Sequence, residues 1–218
     1  MIDLSTSDSM HNDAFSIPIA GINRLKMGTD GKGIRTLVAT YGCPLRCKYC
    51  INPLTWNGKK TPKIYTIQEL YDEVNIDNLY FRATNGGITF GGGEPLIHAK
   101  FIRTFINECP KEWSFVAETS LNVSRDNIKM VIDLFDEVHV DIKTLDEEKY
   151  YKYTGKPLEL ALDNLVYLLR ESDPNRIIVR IPEIPRFTTC ADQHRYAETL
   201  NRLGFERLDI FRYSVNTI

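Results

Sequence analysis

RTLVATYGCPLRCKYC, residues 35–50, sets an apolar run directly against three cysteines. Residues 35–42 read as a buried strand that stops just before the thiols. Cys43, Cys47 and Cys50 then fall within eight residues, and only Cys109 and Cys190 occur elsewhere in the chain. Gly42, Pro44 and Arg46 make this a loop, a poor place to bury thiols among apolar side chains.

Outward from that strand, apolar runs alternate with helical patterns. Further strands are expected at 87–92, 113–119, 137–143, 176–184 and 207–213. Helices are expected at 66–74, 97–108, 124–135, 158–170 and 189–203. Thr66 and Glu69 form a capping box, Ser124 is a cap, and Gly204 is a C-terminal stop. Ile97, Phe101 and Phe105 recur every four residues and mark one helix face; Cys109 is in step with them, as a core thiol would be. Cys190 stands alone near a helix start. Six β-α alternations predict an α/β fold with a mostly parallel sheet, an open or partial (β/α)6 barrel whose chemistry sits at the C-terminal strand ends.

Bulk properties narrow the class. The net charge of −2 is no basic footprint, so nucleic acid is not the expected partner. No apolar run is long enough for a membrane span. The polar start, MIDLSTSDSMHNDAF, lacks the basic and apolar regions of a secretory signal, so a cytoplasmic protein with reduced thiols is expected. Five cysteines, an odd number, also suit a disulfide scaffold poorly.

Three readings of the thiol loop compete: buried structural cysteines, a zinc site, or an iron–sulfur cluster. Structural zinc takes four ligands, usually as two spaced pairs, and no second pair follows. A four-iron cluster held by three thiolates keeps one iron open to an outside ligand, which makes it a catalytic site. Downstream, TFGGGEPL (89–96) places glycines at a strand end, where a ligand can approach the backbone closely.

The C-x-x-x-C-x-x-C loop with Tyr49 before its last cysteine, together with the G-G-E-P stretch, resembles the radical S-adenosylmethionine (SAM) superfamily. MGTDGKGIRT (27–36), CINPLTW (50–56) and VDIK (140–143) narrow the resemblance to glycyl-radical-enzyme activating enzymes of the pyruvate formate-lyase activating type. It runs from about Ile22 to Tyr213, which predicts one radical SAM domain over 22–218 behind an N-terminal extension, 1–21. The resemblance implies a [4Fe–4S] cluster on Cys43, Cys47 and Cys50, with SAM on the fourth iron. Tyr49, Gly92, Gly93, Glu94, Thr119, Lys143 and Arg180 would bind SAM, with Gly92, Gly93 and Glu94 at its amino group. Glu118, Thr119 and Asp141 would hold a monovalent cation, Na+ or K+, with His139 adding a backbone carbonyl rather than its ring. Asp30 would lie near the substrate glycine. Structural alternatives are an Asp141–Lys143 ion pair and pairing of Arg180 with Glu183 or Glu159.

The pattern departs from those relatives in places. Lys32 replaces a proline, Gly91 a small hydroxyl residue, and Ser214 a histidine after Tyr213; the chain stops at Ile218, and no extra-cysteine insert separates Cys50 from Gly87. The implied reaction is reductive cleavage of SAM to a 5′-deoxyadenosyl radical, which takes a hydrogen from a glycine Cα of a partner glycyl radical enzyme. Flavodoxin or ferredoxin would supply the electron to a monomer that docks transiently. The alternatives are a radical SAM enzyme acting on a small molecule, like 7-carboxy-7-deazaguanine synthase, and a non-catalytic metal-binding module.

Overall fold

The computed structural model describes residues 15–213. Eight strands form one sheet: β1 (Ser16–Met27), β2 (Ile34–Thr40), β3 (Lys63–Thr66), β4 (Gly87–Gly92), β5 (Ser114–Thr119), β6 (Glu137–Asp141), β7 (Ile177–Glu183) and β8 (Leu208–Arg212). Their order is β3-β1-β2-β4-β5-β6-β7-β8. The six strands from β2 to β8, β3 apart, are the expected ones, and all pair in parallel. The end strands β3 and β8 do not pair with each other, so the barrel is partial and open.

Seven helices accompany the sheet: α1 (Ile67–Asn75), α2 (Asn78–Thr84), α3 (Ala99–Glu108), α4 (Arg125–Val131), α5 (Glu147–Thr154), α6 (Glu159–Glu171) and α7 (Cys190–Leu203). The Thr66–Glu69 capping box starts α1, Ser124 caps α4, and Gly204 ends α7 in the left-handed region at φ 109°. Pro95 opens the expected 97–108 helix as a 3-10 turn, Pro95–His98, before α3 begins. Phe101, Ile102, Phe105 and Ile106 of α3 are buried against the sheet, and Phe105 meets Phe90 edge-on at 5.9 Å. Cys109 joins this core, whereas Cys190 is exposed, 3.5 Å from His194 Nδ1.

Sequence periodicity missed β1, β3, α2 and α5. β1 pairs antiparallel with both β2 and β3, and begins at Ser16. Residues 16–21, expected in an N-terminal extension, therefore belong to the sheet. Pro18, Gly21 and a solvent-facing second half hide its alternation. β3 has only four residues and depends on β1 as its partner.

Arg35, near the start of β2, is 1% exposed and forms a polar plug. Its guanidinium donates to Thr89 Oγ1 (2.7 Å), Ser114 Oγ (2.7 Å) and the carbonyls of Lys32 (3.2 Å), Ile88 (2.5 Å) and Ser114 (3.0 Å). No carboxylate touches it, and burial lowers its pKa to about 10. It stays charged at neutral pH, held by neutral acceptors.

Candidate functional site

The C-terminal ends of the parallel strands open onto a cavity of about 420 Å3, within the size range of small-molecule sites. Cys43, Cys47 and Cys50 line it together with Gly92, Gly93, Glu94, Glu118, Thr119, Asp141, Lys143, Arg180 and Asp30. Residues spread over 150 positions thus meet where parallel strands place their chemistry. Strand register brings the charged groups together. Asp141 pairs with Arg180, and Glu118 with His139. Glu118, Asp141 and Arg180 turn to one face and converge.

The thiol loop is held by its backbone. Arg46 N–H donates to Thr154 O (2.8 Å), and Lys48 N–H to Tyr153 O (3.0 Å), both at the end of α5. The Trp56 indole N–H points at Cys50 Sγ (3.4 Å), and Arg46 lies over the Trp56 ring at 4.9 Å. All three thiols are half-buried. Burial, with the Glu94 carboxylate adding, pushes the Cys43 thiol up to about 12. Burial also raises Cys47, although Lys143 pulls against it. Such thiols stay protonated until a metal displaces the proton.

The donor set tests which metal suits the loop. Among the described residues no three His, Cys, Asp or Glu side chains converge on one point, as a single ion demands. Three soft thiols spread round one cavity suit a multi-iron cluster, where each binds a different iron. They do not suit one tetrahedral zinc.

The glycines act on protein, not on open space. A Cβ on Gly93 would sit 2.3 Å from Gly42 O and 2.6 Å from Thr40 O; one on Gly92 would sit 2.6 Å from Ala39 Cβ. Glu94 N–H donates to Gly42 O (2.8 Å). These glycines therefore let β4 approach the thiol loop, a tighter reason than ligand access. Gly93→Ala should leave the fold intact while displacing the loop. We expect at least a tenfold loss in iron incorporated per chain, with far-UV circular dichroism unchanged; normal loading would refute that packing argument.

Glu94 is 1% exposed and accepts four hydrogen bonds, from Thr119 Oγ1 (2.7 Å), Ser120 N (2.8 Å), Ser120 Oγ (2.7 Å) and Leu96 N (3.3 Å). Burial raises its pKa against those bonds. Four donors saturate a carboxylate, so its side chain pins β4 to β5, and the expected contact with an amine has no free lone pair.

Arg180 meets two of the three residues expected at a cation site. Its Nε donates to Asp141 Oδ1 (2.6 Å) and its Nη1 to Glu118 Oε1 (2.7 Å). Lys143 Nζ takes Asp141 Oδ2 (2.8 Å), and Thr119 Oγ1 is committed to Glu94. The guanidinium thus bridges the two carboxylates expected beside a cation. Burial works to raise the Asp141 pKa, but Arg180 and Lys143 outweigh it and hold the group below the usual carboxylate range. Burial opposes the Lys143 charge, yet Asp141 and Cys47 hold it up. Burial pushes Glu118 up despite Arg180. A Cβ on Gly91 would meet Glu118 Oε2 at 2.6 Å, so glycine there makes room for the glutamate. The Asp141–Lys143 pair exists as anticipated; Arg180 pairs with neither Glu183 nor Glu159.

Other expectations also meet the structure unevenly. Tyr49 does not line the cavity; its ring packs against Tyr153 and Phe187, and its carbonyl accepts from Tyr213 Oη. The His139 ring is packed at 5% exposure, with Nδ1 unpartnered. Asp30 does face the cavity, with Oδ2 lacking a hydrogen bond and Lys26 Nζ 3.9 Å away. Ser214 lies outside the described residues. Ser120 and Arg35 were missed: their partners lie far along the chain, and only the odd charge opening an apolar strand hinted at Arg35; Trp56 stood in the quoted CINPLTW stretch without a role.

Residues 37–210 match the profile of the radical SAM superfamily. The chain is 36% identical over 142 residues to a pyruvate formate-lyase-activating enzyme of Staphylococcus epidermidis, covering 60% of this chain but 55% of that relative. It is 35% identical over 198 residues to the pyruvate formate-lyase-activating enzyme of Staphylococcus aureus, covering 86% of this chain and 78% of the relative. It thus spans little more than half of one relative and over three quarters of the other. Among solved structures it resembles QueE from Escherichia coli, with a TM-score of 0.53 at 15% identity over 94% of this chain and 98% of that one. At that identity the likeness concerns the fold alone.

Proposed function

Because the chain belongs to the radical SAM superfamily, we propose that it is an activating enzyme that installs a glycyl radical on a partner protein. The observation carrying this reading is the convergence of three thiols, the G-G-E segment and the Asp141–Lys143–Arg180 cluster in one cavity. When bound, the cluster and SAM supply one-electron cleavage of a carbon–sulfur bond, and the resulting deoxyadenosyl radical removes a glycine Cα hydrogen. The chain's residues position and enclose.

In this reading Cys43, Cys47 and Cys50 hold the cluster. Backbone carbonyls at Gly92 and Gly93 take the amino group of SAM, while buried Glu94 keeps that segment in place. Lys143, paired with Asp141, offers positive charge to the SAM carboxylate. Glu118, Thr119 and Asp141 would hold a monovalent cation, Na+ or K+, with Arg180 supplying further positive charge between the two carboxylates. Asp30 stands at the substrate side of the cavity. The open edge between β3 and β8 leaves room for a protein loop. The protein works as a monomer in a reducing cytoplasm, drawing electrons from a flavodoxin or ferredoxin; among the described residues no helix is long and apolar enough to cross a membrane.

The test is anaerobic reconstitution with iron and sulfide, then SAM and dithionite, with 5′-deoxyadenosine quantified by chromatography. Formation of the nucleoside, with about four irons per chain, is expected. A chain that binds about one zinc and leaves SAM intact would overturn the reading.

A further inference from the structure

Beside the cavity lies a second concavity, an open groove of about 640 Å3 between β1 and the thiol loop. Cys50 lines both. The groove shares Asn23, Ile51, Asn52 and Tyr213 with the cavity as well as Cys50, but none of Cys43, Cys47, Glu94, Asp141, Lys143 or Arg180 lines it. An occupant would therefore approach the edge of the cluster site without meeting the groups that converge on SAM.

Its chemistry is one-sided. Lys48 and Lys60 line the groove, and no acidic residue does. Ile51 and Leu54 stand beside them, 72% and 46% exposed. The surrounding sequence repeats the bias. Residues 31–68 contain seven Lys and Arg and no Asp or Glu, in a chain whose net charge is −2. Arg46 and Lys48 are exposed on the thiol loop itself, and Lys59, Lys60 and Lys63 on the segment that follows. A net-acidic chain thus presents a local cluster of exposed lysines and Arg46 on the loop around Cys50, which lines the groove. Charge segregated in this way steers an oppositely charged partner and sets its orientation.

We propose that this groove is the docking site of an acidic one-electron carrier protein, which delivers its electron at Cys50. The inference rests on the activase reading and names the face used by its electron donor. The carrier is oxidised by one electron and the cluster beside Cys50 is reduced by one; no bond forms between them. Ile51 and Leu54 give the apolar contact, and Lys48 and Lys60 pair with carboxylates of the carrier. A protein substrate is the weaker occupant, because its glycine must reach the SAM side of the cavity and the groove does not.

The experiment compares two electron sources on the reconstituted full chain. With flavodoxin hydroquinone at about 50 mM salt, Lys48→Glu/Lys60→Glu should form 5′-deoxyadenosine about tenfold more slowly than the wild type, and Lys48→Gln/Lys60→Gln should fall between. The gap should close toward about twofold at 0.5 M salt, where screening is strong. With dithionite, too small to need a docking face, all three proteins should agree within about twofold. Equal losses with both reductants, or no loss with flavodoxin, would overturn the proposal. So would a dithionite-driven rate that holds while glycyl radical yield on a pyruvate formate-lyase substrate falls, because the groove would then belong to the substrate. If the wild type makes no deoxyadenosine even with dithionite, the activase reading itself has failed, and the docking assignment goes with it.

Discussion

Cys47→Ala is expected to remove SAM cleavage while leaving the chain folded. The thiol loop owes its position to backbone hydrogen bonds: Arg46 and Lys48 to the end of α5, Gly42 N–H to Thr55 O (2.7 Å), and Glu94 N–H to Gly42 O (2.8 Å). None of these uses a cysteine side chain. The thiol of Cys47 is half-buried and faces the cavity, so its removal opens little new space. The melting temperature of the metal-free protein should move by no more than about 2 °C. Deoxyadenosine formation should fall by at least three orders of magnitude, about 4 kcal/mol of barrier, because two thiolates cannot hold a four-iron cluster with one iron open. Cys109→Ala serves as the control: that thiol lies in the core, away from the cavity. Cleavage by Cys47→Ala at more than a tenth of the wild-type rate would sink the assignment of the cluster. A loss of stability matching the loss of activity would make these cysteines structural.

Arg35→Met carries the largest expected effect on stability. The side chain is fully buried and serves five acceptors, two hydroxyls and three carbonyls, contributed by the β1–β2 turn, β4 and β5. Methionine fills similar volume but donates nothing; Thr89 Oγ1 and Ser114 Oγ keep their own bonds to Asp30 O and Gly86 O, while each carbonyl that loses its donor costs about 1–3 kcal/mol. Removing a desolvated charge offsets part of that loss, and burial's lowering of the Arg35 pKa shows that the offset is real. The acceptors outnumber the single charge, so we expect a net destabilisation of about 3 kcal/mol or more by urea denaturation. Arg35→Lys keeps the charge but cannot fork to five partners, and should recover less than half. A methionine variant within about 1 kcal/mol of the wild type would mean that the plug contributes packing only.

The loss at Arg35 also bears on the site. Thr89 Oγ1, which accepts from Arg35, donates to Asp30 O (2.6 Å). Asp30 lines the cavity, so Arg35 supports its backbone through Thr89. Arg35 and the proposed substrate-side acid are thus joined by one hydrogen-bonded chain.

Much of this architecture is local enough to be written along the chain. Alternating apolar runs and helix patterns record the six parallel strands, because parallel strands are buried on both faces and their crossovers must be amphipathic. Capping at Thr66, Ser124 and Gly204 depends on neighbours within four residues, and it was legible for that reason. The spacing of Cys43, Cys47 and Cys50 is local, since one loop supplies all three thiols, and it carries the resemblance that implies a cluster. What the tertiary structure alone decided lies across the sheet. Arg180 meets Glu118 from 62 positions away and Asp141 from 39; no local pattern records which acid a buried guanidinium will meet. The same holds for Glu94, whose four donors include three from the β5 end, and for the glycines that turned out to make room for the thiol loop. β1 and β3 stayed hidden because edge strands keep one side in water and take their shape from the strand they join. Chain-local spacing pointed to the thiol loop; strand register, which no short window contains, decided which charges surround it.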